Sequence, residues 1–221
     1  SGDFGAVLSE IERLSSEIID FDGFSIGSYD AQRRTVRRIF ARGLLMPEHG
    51  APQEYSIDES VSSSAFQSGK PTRQVFSSLE QLRGFPKSKG AFRAGTRAFL
   101  AAPLISNDEI VGVMQFRSES PRAFSELEIE NSQRLADQIA GALANSLANE
   151  QIRLQAKALE SADNAIVISS AEGITEWTNS AFTRLTGWTS NEVIGLPTRF
   201  IRSADPKTWG RDEEIWAALD S

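Results

Sequence analysis

The residues best placed to do chemistry lie in one irregular stretch, 77–97. There Phe85 and Phe92 sit among Lys87, Lys89, Arg93 and Arg97, with Phe76 just before the stretch and Phe99 just after it. Such a set would line an apolar cavity whose cations meet an anionic ligand. The same set also reads as a solvated loop with its phenylalanines anchored in the core, and both readings stand. His49, the only histidine, falls in a segment with Gly43, Pro47, Gly50 and Pro52, a loop composition. It would serve a haem iron in a haem-based sensor. A metal site needs several ligands, and no His/Asp/Glu cluster surrounds it, so no metal is expected.

Motifs for catalysis are missing. No GxSxG elbow or Ser-His-Asp arrangement occurs, and no GxxxxGK[ST] loop. Gly84, Gly90 and Gly95 lack the spacing of a dinucleotide fingerprint. Glu126, Glu128 and Glu130 cluster at a helix start, where carboxylates favour the dipole. There are no cysteines, which removes disulfides, thiolate metal ligands and thiol nucleophiles together. No catalytic residue is assigned and a non-enzymatic role is expected.

Composition bounds the rest. The 221 residues suffice for one large or two small domains, with 40% hydrophobic and 24% charged residues as in an ordinary globular chain. A net charge of −7 disfavours nucleic acid or an anionic membrane as partner. No apolar run approaches the roughly 20 residues of a membrane span. The chain starts Ser-Gly without Met, so a piece of a longer protein is expected.

The element that must position these residues is a long helix from Ser125 to about Glu160. Ser125 and Glu128 form a capping box, with Phe124 and Ile129 placed as a hydrophobic staple. Leu135, Ile139, Leu143 and Leu147 recur every four residues as the dimer and signalling stripe, followed by Ile152 and Leu159 a heptad apart. The alternative is a break within 145–149. Upstream, apolar residues from Phe4 to Ile19 predict a first helix that Asp3 caps and Asp22-Gly23 ends. Strands are predicted over 24–29, 35–41, 71–76, 98–105 and 109–117, and a helix over 58–67 closed by Gly69. In the strand over 109–117, Ile110, Val111, Val113, Met114 and Phe116 form a nearly continuous apolar run, as in a central strand covered on both faces. Arg33, Arg34, Arg37 and Arg38 read as a solvated strand face.

Residues 1–147 resemble a GAF domain. The resemblance rests on GFSIGSYD, SSSAFQSGKPTRQVF, RAFLAAPLISNDEIVGVMQFRSESPRAFSELEIE and the helix LADQIAGALANSL. It implies an α+β fold, an antiparallel sheet flanked by helices with a ligand pocket on one face, to which Phe76, Phe85, Phe92, Arg93, Arg97 and Phe99 are assigned. Members bind cyclic nucleotides, bilins, haem or other small molecules. The lack of cysteine excludes covalent bilin attachment and the thiol-based reduction of methionine sulfoxide, and the Asn-Lys-Xaa-Asp-Glu run of cyclic-nucleotide binders does not occur.

Residues 148–160 follow as a linker helix. Residues 161–221, through AEGITEWTNSAFTRLTGW, resemble the N-terminal part of a PAS domain. Trp177, Asn179, Phe182 and Phe200 are its candidate ligand contacts, although Asn179 reads more simply as a helix cap. The segment is too short for a whole PAS domain, and cysteine–flavin adduct chemistry is excluded. The two resemblances imply a cytoplasmic input module with an unknown cofactor, a homodimer through its helices, and an output domain elsewhere: a histidine kinase, a diguanylate cyclase or a cyclic-di-GMP phosphodiesterase. A ligand-free dimerisation scaffold is the rival.

Overall fold

The structure, a computed structural model, describes residues 2–43 and 54–198. Contacts divide the chain into two compact units, Ser1–Asn149 and Glu150–Ser221.

The first unit is built around the apolar run the sequence places before the long helix. It forms strands β5 (Ala98–Ser106) and β6 (Glu109–Ser118). Asn107 and Asp108 join them at positive φ (52° and 63°), the turn geometry that follows the strand twist. Strand β1 (Gly23–Asp30) pairs with the other edge of β6, and β2 (Thr35–Gly43) with β1. The short strands β3 (Glu54–Ser56) and β4 (Thr72–Val75) close the two ends. The six-stranded antiparallel order is β3-β2-β1-β6-β5-β4, so β6 lies inside the sheet and is buried from Gly112 onward.

Period-two alternation divides the side chains between two layers. Phe24, Ile26, Leu100, Leu104, Met114 and Phe116 pack in one core with Ala136, Ile139, Ala140 and Leu143 of helix α4 (Glu126–Glu160), and Leu8 of α1 (Gly2–Ser16) joins them. Val36, Ala101 and Val113 pack on the opposite face with Ala65 of α2 (Ser63–Ser68). The helix expected over 58–67 is therefore two pieces, a 3-10 turn Ile57–Glu59 and then α2. Gly69 closes α2 at φ 65° as expected. Helix α1 includes Asp3 rather than starting from it and ends at Ser16. Ile19 reaches the core from the following turn.

Helix α4 is continuous over 35 residues and does not break at 145–149. Its start is fixed as the capping box predicts: Ser125 Oγ and N both donate to the Glu128 carboxylate, at 2.7 and 2.8 Å. The other Glu128 oxygen accepts from Asp20 N at 2.9 Å, tying the chain after α1 to the helix. The dimer-seam assignment of the stripe is corrected here. Ile139 and Leu143 are buried against their own sheet, with Leu135 and Leu147 packed beside them, because the small residues Ala136 and Ala140 let the helix settle on the strands. Gly112 completes that fit: a Cβ there would strike the Gly27 carbonyl and come within 2.9 Å of Leu143 Cδ2.

The second unit holds the end of α4, a hairpin β7 (Val167–Ser169) and β8 (Thr175–Thr178), and helices α5 (Ser180–Thr186) and α6 (Ser190–Val193). A capping box of Thr189 and Glu192 opens α6. His49 and Phe200 lie outside the described residues.

Burial raises the Glu128 carboxylate, but the hydrogen bonds from Asp20 and Ser125 outweigh it and hold the group below its ordinary range. Its contribution is thus present above the unfolded carboxylate value and lost as pH falls through the lower folded one. Glu128→Ala should cost about 1 kcal/mol at pH 7. In urea melts the difference from wild type should shrink as pH falls below the ordinary carboxylate range, and a pH-independent difference would refute the account.

Candidate functional site

On the sheet face away from α4, β6 places Gln115 and Arg117 two residues apart, so both point the same way. Ser25 of β1 lies opposite Gln115 in the pairing register. Gln115 is the hub of the layer. Its Oε1 accepts from Arg117 Nη2 at 3.0 Å and from Ser25 Oγ at 3.4 Å. Its Nε2 donates to Tyr55 Oη at 3.3 Å and to Ser62 Oγ just before α2. The amide therefore links β1, β3, β6 and the approach to α2.

Above this network lies a cavity of about 90 Å³. Its polar lining includes Arg38, Tyr55, Ser60, Ser88, Gln115 and Arg117, with Lys87 as a further cation. Val61, Ala91 and Phe99 make the apolar wall. A 3-10 turn, Pro86–Ser88, and helix α3 (Lys89–Arg93) bring Lys87, Ser88 and Ala91 over the sheet. Ser88 Oγ accepts from Val61 N at 3.2 Å, which joins that cover to the 60s loop.

Arg117 is buried, and the loss of water pulls its guanidinium down to about 10. The nearby Tyr55 phenol opposes the shift and the Arg38 charge adds to it. Burial pushes the Tyr55 phenol up, against the pull of Arg117 and Arg38. The cavity thus holds two guanidiniums close enough to sense each other, and no carboxylate is among the described residues that line it.

The residues expected to line a pocket fare differently. Phe76, Phe92 and Phe99 are buried in one cluster with Leu82 and Ala91, and Phe85 packs against it. Phe76 meets Phe85 and Phe99 edge-on at 6.3 and 5.8 Å. These rings fill space with each other, and of the six residues only Phe99 reaches the cavity. Arg93 is exposed. Arg97 stacks on Phe92 at 4.3 Å and donates to the carbonyls of Phe92 and Thr96, so its expected role toward an anion is corrected to a structural one. Lys87, read as a possible anion contact, does line the cavity. The cavity-lining residues that sequence reasoning missed are Arg38, Tyr55, Gln115 and Arg117. A signal was present: two polar residues at alternate positions in an otherwise apolar central strand.

In the second unit Asn179 is fully buried. Its Oδ1 accepts from Phe182 N at 3.0 Å and Ile166 N at 2.9 Å. Its Nδ2 faces the carbonyls of Leu159, Asn164 and Ala162 at 3.1, 3.0 and 3.4 Å. The side chain is thus spent on the fold, and the ligand contact expected there is corrected to a cap and clamp. Phe182 is a core residue and Trp177 is half-buried.

The family model described as GAF domain matches residues 3–144. The chain belongs to the GAF domain family. It is similar in fold to the GAF domain of a two-component sensor histidine kinase from Bacillus halodurans, at 13% identity and TM-score 0.55, covering 66% of this chain and 97% of that one. It is also similar to a GAF domain/HD domain protein from Geobacter sulfurreducens, at 15% identity and TM-score 0.51, covering 63% and 91%. A type II free methionine-R-sulfoxide reductase from Thermoplasma acidophilum matches at 16% identity and TM-score 0.50, covering 64% and 92%. No curated protein matches the chain. Among the described residues, no helix is long and apolar enough to cross a membrane, and no cluster of three or more metal-ligating side chains occurs.

Arg117 is buried and bonded, its Nη2 donating to Gln115 Oε1 at 3.0 Å. Arg117→Met takes that charged donor from the amide and should cost about 1–3 kcal/mol, read as a drop of roughly 2–4 °C per kcal/mol in a calorimetric scan. An unchanged or raised melting temperature would show that the guanidinium does not hold the layer together.

Proposed function

We propose that this chain is a sensory input module of a signalling protein, and that the cavity between Arg38, Gln115 and Arg117 is where its GAF domain takes a small molecule. The observation that supports this most is the polar, cation-lined cavity inside a domain whose other face carries α4. Gln115 and Arg117 alternate along β6 with Met114 and Phe116, which belong to the core shared with α4. A ligand that favours one arrangement of the cavity side chains thereby biases the packing of Ile139 and Leu143, and with it the helix. The shift is limited by the ligand's differential affinity for the two packings. The module acts without catalysis of its own. Its output domain, a histidine kinase or a cyclic-di-GMP enzyme, belongs to the full-length protein. Residues 161–221 are the first part of a PAS domain in this reading.

Dimerisation is assigned to the later part of α4. Ile152 and Leu159 stand a heptad apart and, with Leu154, are exposed large apolar side chains, as a helix-pairing seam requires. A ligand-free dimerisation scaffold remains as a second reading, favoured by the way Phe76, Phe85 and Phe92 pack on one another.

Native mass spectrometry of the purified chain separates the two. The sensory reading expects extra mass that is lost on denaturation and absent from Arg38→Gln. A dimer with no bound mass, and no response to any added small molecule, would favour the scaffold. Ile152→Glu should convert dimer to monomer by light scattering, and an unchanged dimer would remove the seam.

A further inference from the structure

We infer that a second cleft, at the opposite end of β6, takes an uncharged sugar, its hydroxyls met by the Arg34–Asp58 fork and its carbon face resting on Phe66. The inference goes beyond the sensory reading above and does not depend on it.

Position is the first ground. The cleft lies where β1 nears its end at Tyr29 and β6 nears its start at Ile110, beside Phe66 and Gln67 of α2. Among the described residues it shares no lining side chain with the cavity over β6. Ile110 and Gln115 stand roughly 17 Å apart along the strand. The cleft holds about 190 Å³ and opens to solvent, so a ring can enter while its far hydroxyls stay hydrated.

Charge is the second. The ionic groups among the described lining residues are Arg34 and Asp58, and they answer each other side-on. Arg34 Nε donates to one carboxylate oxygen at 3.1 Å and Nη2 to the other at 2.7 Å. The pair sums to no net charge. A ligand charge of either sign would be repelled by one member of it, whereas a neutral ligand leaves it whole.

Hydrogen-bond polarity is the third. The fork leaves three of the five guanidinium N–H groups and further carboxylate lone pairs open. Around it, the Tyr29 and Ser63 hydroxyls and the Gln67 amide bond to none of the described residues. Ser63 tells most, because the residue is buried and its hydroxyl is still unmatched by its described neighbours. Fork, hydroxyls and amide together offer both donors and acceptors. A carboxylate only accepts and an ammonium only donates, so either would leave half of these groups unmet. A sugar hydroxyl does both, and two adjacent ones can span the fork, one on an N–H and one on an oxygen.

The apolar wall selects a carbon face. Ile57, Ile110 and Phe66 line it. Tyr29 meets Phe66 edge-on, with centroids 4.7 Å apart, which fixes the ring against which the ligand rests. The face of an aromatic ring is negative and attracts the weakly positive C–H bonds of a sugar.

The test uses the whole chain labelled with nitrogen-15. Glucose, galactose, mannose and ribose are titrated in turn while the backbone amides are followed by NMR. Glucuronate, glucosamine and uracil serve as the charged and flat comparisons. At least one sugar should shift the amides of Asp58, Ser63, Phe66 and Gln67 saturably and bind at least ten times more tightly than any comparison. Asp58→Asn opens the fork at an exposed position and should weaken that sugar at least tenfold with an unchanged melting temperature. Gln67→Ala, also exposed, should weaken it severalfold and carries the test if Asp58→Asn does not fold. No saturable shift at these residues, a comparison that binds as tightly, or binding that the folded variants leave untouched overturns the inference. Shifts confined to Gln115 and Arg117 would put the sugar in the cavity over β6 and overturn it as well, while the sensory reading stands.

Discussion

Strand β6 has no face turned to water, and the first unit depends on that constraint. From Gly112 onward every side chain must be matched to one of two layers. Met114 and Phe116 meet the apolar core beneath α4, and burying each is worth about 1.5–3 kcal/mol. Gln115 and Arg117 meet the other layer, where an unsatisfied amide or guanidinium would cost a comparable amount. The Gln115 network is what makes the second layer tolerable. Four side chains and three strands are held by one amide, so the geometry of the cavity floor is tied to the strand that carries it. The stabilising layer and the adaptable layer share a backbone.

Much of the fold was legible in the sequence because its signals are local. The capping box at Ser125 and Glu128, the Gly69 cap and the Asn179 cap each depend on a few neighbouring residues, and each forms. The strand pattern over 98–117 was clear for the same reason. Site residues were harder, because they converge from four separate segments. Arg38 looked like one more arginine in a solvated run, and only its pairing register with Gly27 shows which way it points. Tyr55 belongs to a three-residue strand that no periodicity can announce. The phenylalanines of 76–99 were identified as apolar anchors, yet rings that stack on one another cannot be told in advance from rings that surround a ligand. The stripe on α4 shows the same ambiguity: a period of four residues says that one face is buried, and not against which chain.

The two units are stabilised by different means. In the first, apolar layers on both faces of a six-stranded sheet carry the load. In the described part of the second, two short strands and two short helices bury little, and Ile168, Leu185, Trp188, Ile194 and Leu196 remain exposed. Polar bonds substitute for burial there, and the Asn179 side chain alone makes five of them. It fastens the carbonyls at the end of α4 to the start of α5 and to the strand approach at Ile166.

That arrangement bears on how the chain ages. An asparagine followed by a serine is prone to lose ammonia when the next backbone nitrogen attacks its side chain. Here the attacking nitrogen, that of Ser180, donates to the Glu160 carboxylate at 3.0 Å, which holds it away from the amide carbon. Were the conversion to occur, the new carboxylate would turn an oxygen toward three carbonyl oxygens where an N–H₂ stood before. The bond that organises the unit is also its chemical weak point, and the fold protects it by occupying the one nitrogen able to break it.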